Sequence, residues 1–210
     1  MVVFDERALK ARLERIEFQG RPLFALSCAE RLFPLYKLYS EEAGHGAPWR
    51  LRSTLDQLWK SAHRGPISGE QPFLSEYESL IPGEAVERNK GTLLGPLAED
   101  TVAALAYTCQ YVATRETQNA AWAARCAYEA VDYVAHTLEG MHYGTPEAEA
   151  AILKKDYVQA ELLRQLRDIA EIEGAAHAGT RIEHLVETFR SRATSEGMDL
   201  ASIVSVLYKK

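Results

Sequence analysis

Cysteine is scarce: Cys28, Cys109 and Cys126 are the only three in 210 residues. Their number is odd, their spacings are wide and each lies in an apolar stretch. That excludes a disulfide framework and any C-x-x-C pair for zinc or redox chemistry. Buried free thiols suit a reducing cytosol, so a cytoplasmic protein is expected. Long apolar runs are missing too. The longest uncharged run, Thr101 to Thr114, has 14 residues, against the ~20 mostly apolar residues of a membrane span, so no membrane partner is expected. Charge appears at Asp5 without a preceding basic and apolar segment, which reads as no signal peptide.

Basic charge is also in short supply. Lys and Arg number 24 against 30 Asp and Glu, a net charge of −6. Nucleic-acid binders need clustered cations to displace counterions from phosphates. The best cluster here, Arg181 to Arg192, also carries Glu183 and Glu187, so no nucleic-acid partner is expected. An acidic surface suits a basic protein partner, and equally suits plain solubility. No repeat, low-complexity tract or sustained period-two alternation occurs. Nor is there a G-x-S-x-G, an H-E-x-x-H, a Walker A loop or a dinucleotide glycine fingerprint. No cofactor is expected.

What is present is helical periodicity. With 47% apolar and 26% charged residues, the chain is ordinary globular material, and residues 1–210 read as one all-α domain. An antiparallel bundle of seven to eight helices is expected. Segment 5–18 carries Leu9, Leu13 and Ile16 on one face, with Asp5 as N-cap. Segment 22–43 is apolar nearly all round and belongs mid-bundle, but Pro34 should kink or restart it. Segment 49–63 carries Leu51, Leu55, Leu58 and Trp59. Segment 72–81 is a short helix, and 84–95 reads as the longest loop. Segments 97–114 and 118–142 share a rhythm of small residues, which predicts a closely packed antiparallel central pair. Thr145-Pro146-Glu147 opens a helix running to about 173, with Leu162, Leu163, Leu166, Ile169 and Ala170 facing the core. Residues 174–179 read as a flexible connection. Thr180 and Glu183 suggest a capping box for the last long helix, which Gly197 ends. Residues 201–207 read as a strand, a docked extension or an interface segment.

Two polar patterns stand out. Glu129, Asp132, His136 and Glu139 share one helix face. Helical metal sites draw ligands from several facing helices, and this face lies opposite the apolar one, so a solvated face is expected and no metal site is assigned. The second pattern is Glu30 and Arg31 inside a helix that should be buried. Lone buried charges are costly and demand partners. Arg52 and Asp56 form an i, i+4 pair on the next helix, and Asp100 opens a later one. A network of Glu30, Arg31, Arg52, Asp56 and Asp100 is expected, either as an ion lattice that sets helix register or as a binding or catalytic cluster. The cysteines lie on core stripes, where a thiol acts as a small hydrophobe, so no catalytic residue is assigned.

The same residues carry a family resemblance. Phe24-Ala-Leu-Ser-Cys-Ala-Glu30-Arg31-Leu-Phe33-Pro34-Leu-Tyr36 resembles the signature of the YjaG-like family of bacterial proteins, domain of unknown function 416. Arg52, Leu55, Asp56 and Trp59 resemble its R-x-x-L-D-x-x-W helix. Tyr77 to Pro82, Asp100, Gln159 to Arg164 and Phe189 to Gly197 resemble later segments, over about residues 8–200. The resemblance implies an all-α cytosolic fold and no established chemistry. Three readings of function stay open. The first is a non-enzymatic protein-interaction module, such as an immunity-type protein neutralising a toxin. The second is a hydrolase or metal-dependent enzyme using the carboxylate/arginine cluster. The third is a homo-oligomer, such as a homodimer joined by the alanine-rich helices or the 201–207 tail.

Overall fold

The computed structural model describes residues 1–16, 20–62, 77–81, 94–140 and 144–208. Among them are eight α-helices, one 3-10 turn (Tyr77–Leu80) and no strand. The helices are α1 (Glu6–Arg15), α2 (Arg21–Ala43), α3 (Pro48–Ser61), α4 (Leu94–Thr114), α5 (Thr117–Glu139), α6 (Pro146–Ile152), α7 (Asp156–Ala178) and α8 (Ile182–Tyr208). Their ends follow local chemistry. Asp5 accepts the amide of Ala8 at 2.9 Å, and Thr145 accepts that of Ala148 at 3.2 Å, each meeting an orphan N–H of a first turn. Gly44, Gly140 and Gly179 close α2, α5 and α7 in the left-handed region, where a Cβ would be strained.

Helix α2 is the axis of the bundle. It is buried on nearly every side and packs on α3, α4, α5, α7 and α8. The two alanine-rich helices α4 and α5 do pack on each other, but α2 lies against both. Two threonines show how α4 meets α2. Thr101 and Thr108 donate to their own i−4 carbonyls at 2.7 Å, and their hydroxyls lie 3.2 Å from the carbonyls of Leu32 and Ala25 respectively. The numbering runs in opposite senses, so the two helices are antiparallel. The main core joins side chains of α1 to α5, α7 and α8.

Several expectations fail for identifiable reasons. Of the kink or restart expected at Pro34, the restart does not occur: α2 is helical from Arg21 to Ala43. The proline removes one hydrogen bond, but packing on all sides outweighs that local loss. Residues 174–178 are no linker; they continue α7, and only Gly179 ends it. Gly197 does not end the last helix, and 201–207 is neither strand nor separate extension: α8 runs through both. The glycine is there because α8 crosses α2 at that point. A Cβ at 197 would lie 2.6 Å from the Arg31 carbonyl oxygen. The helix expected from 146 to 173 is two, broken at 153–155. Residues 72–76 of the short helix and 84–93 of the loop lie outside the described residues, while Leu94 and Gly95 belong to α4.

Candidate functional site

Successive helix residues point about 100° apart, so Glu30 and Arg31 leave α2 in different directions. Both are buried, at 1% and 2% exposure. Their partners are separate sets, on α3 and α8 for Glu30 and on α7 and α8 for Arg31.

Glu30 turns toward α3. Its oxygens accept from Arg52 Nη1 and Nη2 at 2.6 and 2.9 Å, from Trp59 Nε1 at 2.8 Å and from Thr194 Oγ1 at 3.1 Å. Four donors fill the lone pairs of one carboxylate. The bidentate fork with Arg52 is the strong geometry for such a pair. Asp56 accepts from Arg52 Nε at 3.0 Å and from Arg190 of α8. The Arg52 guanidinium also lies 5.0 Å over the ring of Phe33.

Arg31 turns toward α7 and α8. It donates to Asp168 at 2.8 Å, to Glu161 at 3.0 Å and to Cys28 Sγ at 3.5 Å, and Glu196 lies 3.6 Å away. Asp168 also accepts from Arg192 and Arg167, each at 2.9 Å. Glu161 accepts from Gln165 at 2.9 Å, and Gln165 donates to the Ala124 carbonyl of α5 at 3.0 Å. Arg167 and Arg164 reach Glu196, and Arg192 reaches Glu171. Four arginines thus face four carboxylates, and the formal charges cancel. Burial works against the Arg31 charge, but the carboxylates of Glu161 and Asp168 outweigh it and hold its pKa well above the ordinary value. Burial also pushes the Cys28 thiol far up, and that of Cys109 up to about 12, so neither suits nucleophilic chemistry.

Three of the five residues expected in one network therefore come together: Glu30, Arg52 and Asp56. Arg31 belongs to a second network, with α7 and α8. Asp100 belongs to neither. Burial, with Glu129 and Glu99 as its charged neighbours, pushes its carboxyl up to about 7.

The residues missed in the sequence are the partners on α7 and α8. Glu161, Gln165 and Asp168 recur at i, i+4 and i+7, the spacing of a core face, and all three are buried. Leu163, Leu166 and Ala170, expected in the core, instead face outward. The signal was Arg31 itself. A guanidinium inside a bundle requires carboxylates on a facing helix, and α7 supplies two, seven residues apart.

The other polar face also departs from expectation. His136 is 1% exposed and Asp132 is half-buried, so that part of the stripe is not solvated. Glu129 pairs with Arg125 at 2.7 Å and Glu139 with Lys155 at 2.6 Å. Asp132 and His136 face Glu149 of α6.

The signature residues thus have physical roles. Glu30 and Arg31 hold α3, α7 and α8 against α2. Phe33 backs Arg52. Tyr36 donates to the Leu80 carbonyl at 3.0 Å and accepts the Ala47 amide at 3.3 Å, tying the 3-10 turn and the start of α3 to α2.

Among solved structures, the fold is similar to the crystal structure of a DUF416 family protein from Shewanella baltica OS155. The TM-score is 0.74 and the identity 18%, covering 89% of this chain and 93% of that one. No curated protein matches the chain. The family described as "Protein of unknown function (DUF416)" matches residues 8–199, which takes in α2, both charge networks and the Gly197 crossing, and the chain accordingly belongs to that family.

Proposed function

We propose that this protein is a cytosolic, non-enzymatic protein-interaction module that presents the outer face of α7 to a protein partner. The observation carrying this reading is the orientation of α7. Its buried face carries Glu161, Gln165 and Asp168, while Leu163 and Leu166 are 54% and 38% exposed. Turning leucines outward forgoes part of the roughly 1.5–3 kcal/mol that full burial of each side chain would give. A partner that covers them recovers that loss. A cavity of about 270 Å³ adjoins the face, lined by Val2, Phe4, Leu9, Leu162, Leu166 and Ile169. The Val2 backbone exchanges two 2.8 Å hydrogen bonds with the Gln159 amide, and Phe4 stacks on Tyr128, so the N-terminal wall of the cavity is fixed.

The charge networks support the same reading over hydrolysis at Glu30 or Asp168. Their carboxylates are held by arginines, which leaves no ready proton acceptor. The net charge of −6 favours a basic partner, and the most concrete form is an immunity-type protein that neutralises a basic toxin.

Photo-crosslinking tests the reading. A crosslinker placed at position 163 in cells should give one discrete heterologous adduct, lost when Leu166 is replaced by Glu. An adduct of twice the chain mass, or none, would overturn it.

A further inference from the structure

We propose that Asp132, His136 and Glu149 form a binding site for one divalent transition-metal ion of the zinc class. The site is separate from both arginine networks and from the outer face of α7. Asp132 and His136 lie one turn apart on α5, and Glu149 comes from α6. One ligand atom from each lies within 4.8 Å of the others.

The distances suit a shared ion. His136 Nε2 is 3.7 Å from Asp132 Oδ2 and 3.6 Å from Glu149 Oε2. Those separations are long for a hydrogen bond. They are close to the ~3.3–3.6 Å between donor atoms that share a tetrahedral ion at about 2.0–2.2 Å. One imidazole nitrogen and two carboxylate oxygens suit zinc, whereas magnesium and calcium prefer oxygen alone.

The surroundings hold this geometry. Each carboxylate has one oxygen anchored and turns the other to Nε2. Tyr128 donates to Asp132 Oδ1 at 3.4 Å, and the Gly144 amide donates to Glu149 Oε1 at 3.2 Å. Such outer partners orient metal ligands. Among the described residues no lysine or arginine pairs with Asp132 or Glu149; nearby Arg125 and Lys155 are engaged by Glu129 and Glu139. His136 is sealed, while the Glu149 side chain is 47% exposed. Solvent reaches the cluster at Glu149, and a zinc ion held by three protein ligands would complete its shell with water.

Titration of zinc chloride into the chelator-treated full chain, followed by calorimetry, tests the site. One zinc per chain is expected, with a rise in the melting temperature. Glu149→Gln lies at the exposed edge and should fold normally. It should weaken zinc binding at least tenfold while leaving the zinc-free melting temperature unchanged. Tyr128→Phe should weaken binding about tenfold. No zinc uptake by the wild type, or equal uptake by Glu149→Gln, would overturn the proposal, the latter marking an adventitious site elsewhere.

Discussion

Glu30 and Arg31 are neighbours in sequence and belong to different worlds. Around Arg31, the side chains of Glu161 and Asp168 are 3% and 1% exposed. Around Glu30, Arg52 and Asp56 are 27% and 35% exposed. The direct carboxylate partners of Arg31 are dry, and solvent reaches that network only at outer members such as Arg167 and Glu171; the Glu30 network reaches solvent at its first partner, Arg52. Water can replace a lost partner in the second and not in the first, so equal numbers of hydrogen bonds carry unequal energies.

The largest test removes the cation from the dry side. Arg31→Met leaves Glu161 and Asp168 buried against fewer charges and should cost about 3–5 kcal/mol, read as a lower urea midpoint at constant slope. A loss below ~1 kcal/mol would make the two regions equivalent.

Asp100 supplies the next test, because its charged neighbours are Glu129 and Glu99 rather than an arginine. Its folded pKa of about 7 lies above the ordinary carboxylate value. The folded state therefore binds the proton more tightly, and stability falls as pH rises from about 4 through 7. Asp100→Asn should remove that decline, stabilising the protein by roughly 2–4 kcal/mol at pH 8 and by almost nothing at pH 4. Urea melts at the two pH values measure it, and a flat difference would contradict the burial of an unpaired carboxyl there.

The smallest effect lies on the wet side. Arg52→Gln leaves Glu30 with Trp59 and Thr194, and leaves Asp56 with Arg190. It should cost about 1–2 kcal/mol and shrink in high salt, unlike the Arg31 substitution.

Local signals made much of the fold legible. Asp5 and Thr145 cap the helices they were expected to cap, and the apolar circumference of α2 placed it mid-bundle. The errors came where tertiary packing overrides local rules. Gly197 and residues 174–179 looked like breaks because glycine and short side chains end helices when nothing packs on them. Here Gly197 sits against the Arg31 backbone, and α7 continues to Ala178. The inward face of α7 was misread because hydrophobicity alone sends Leu163 and Leu166 to the core, whereas a buried guanidinium on α2 recruits Glu161 and Asp168. Glu30 with Arg52 and Asp56 was readable from the i, i+4 pair and the demand of a buried acid. The separation of Arg31 from that cluster follows from the 100° step, but which helix would meet it depended on long-range packing.

Amide hydrogen exchange along α8 tests the central claim, that the Arg31 network holds α7 and α8 against α2. In the wild type, amides of residues 192–204 should exchange only through global unfolding, as slowly as those of α2. In Arg31→Met they should open locally, well ahead of α2. Fast local exchange of α8 in the wild type, or unchanged protection in the variant, would contradict the account.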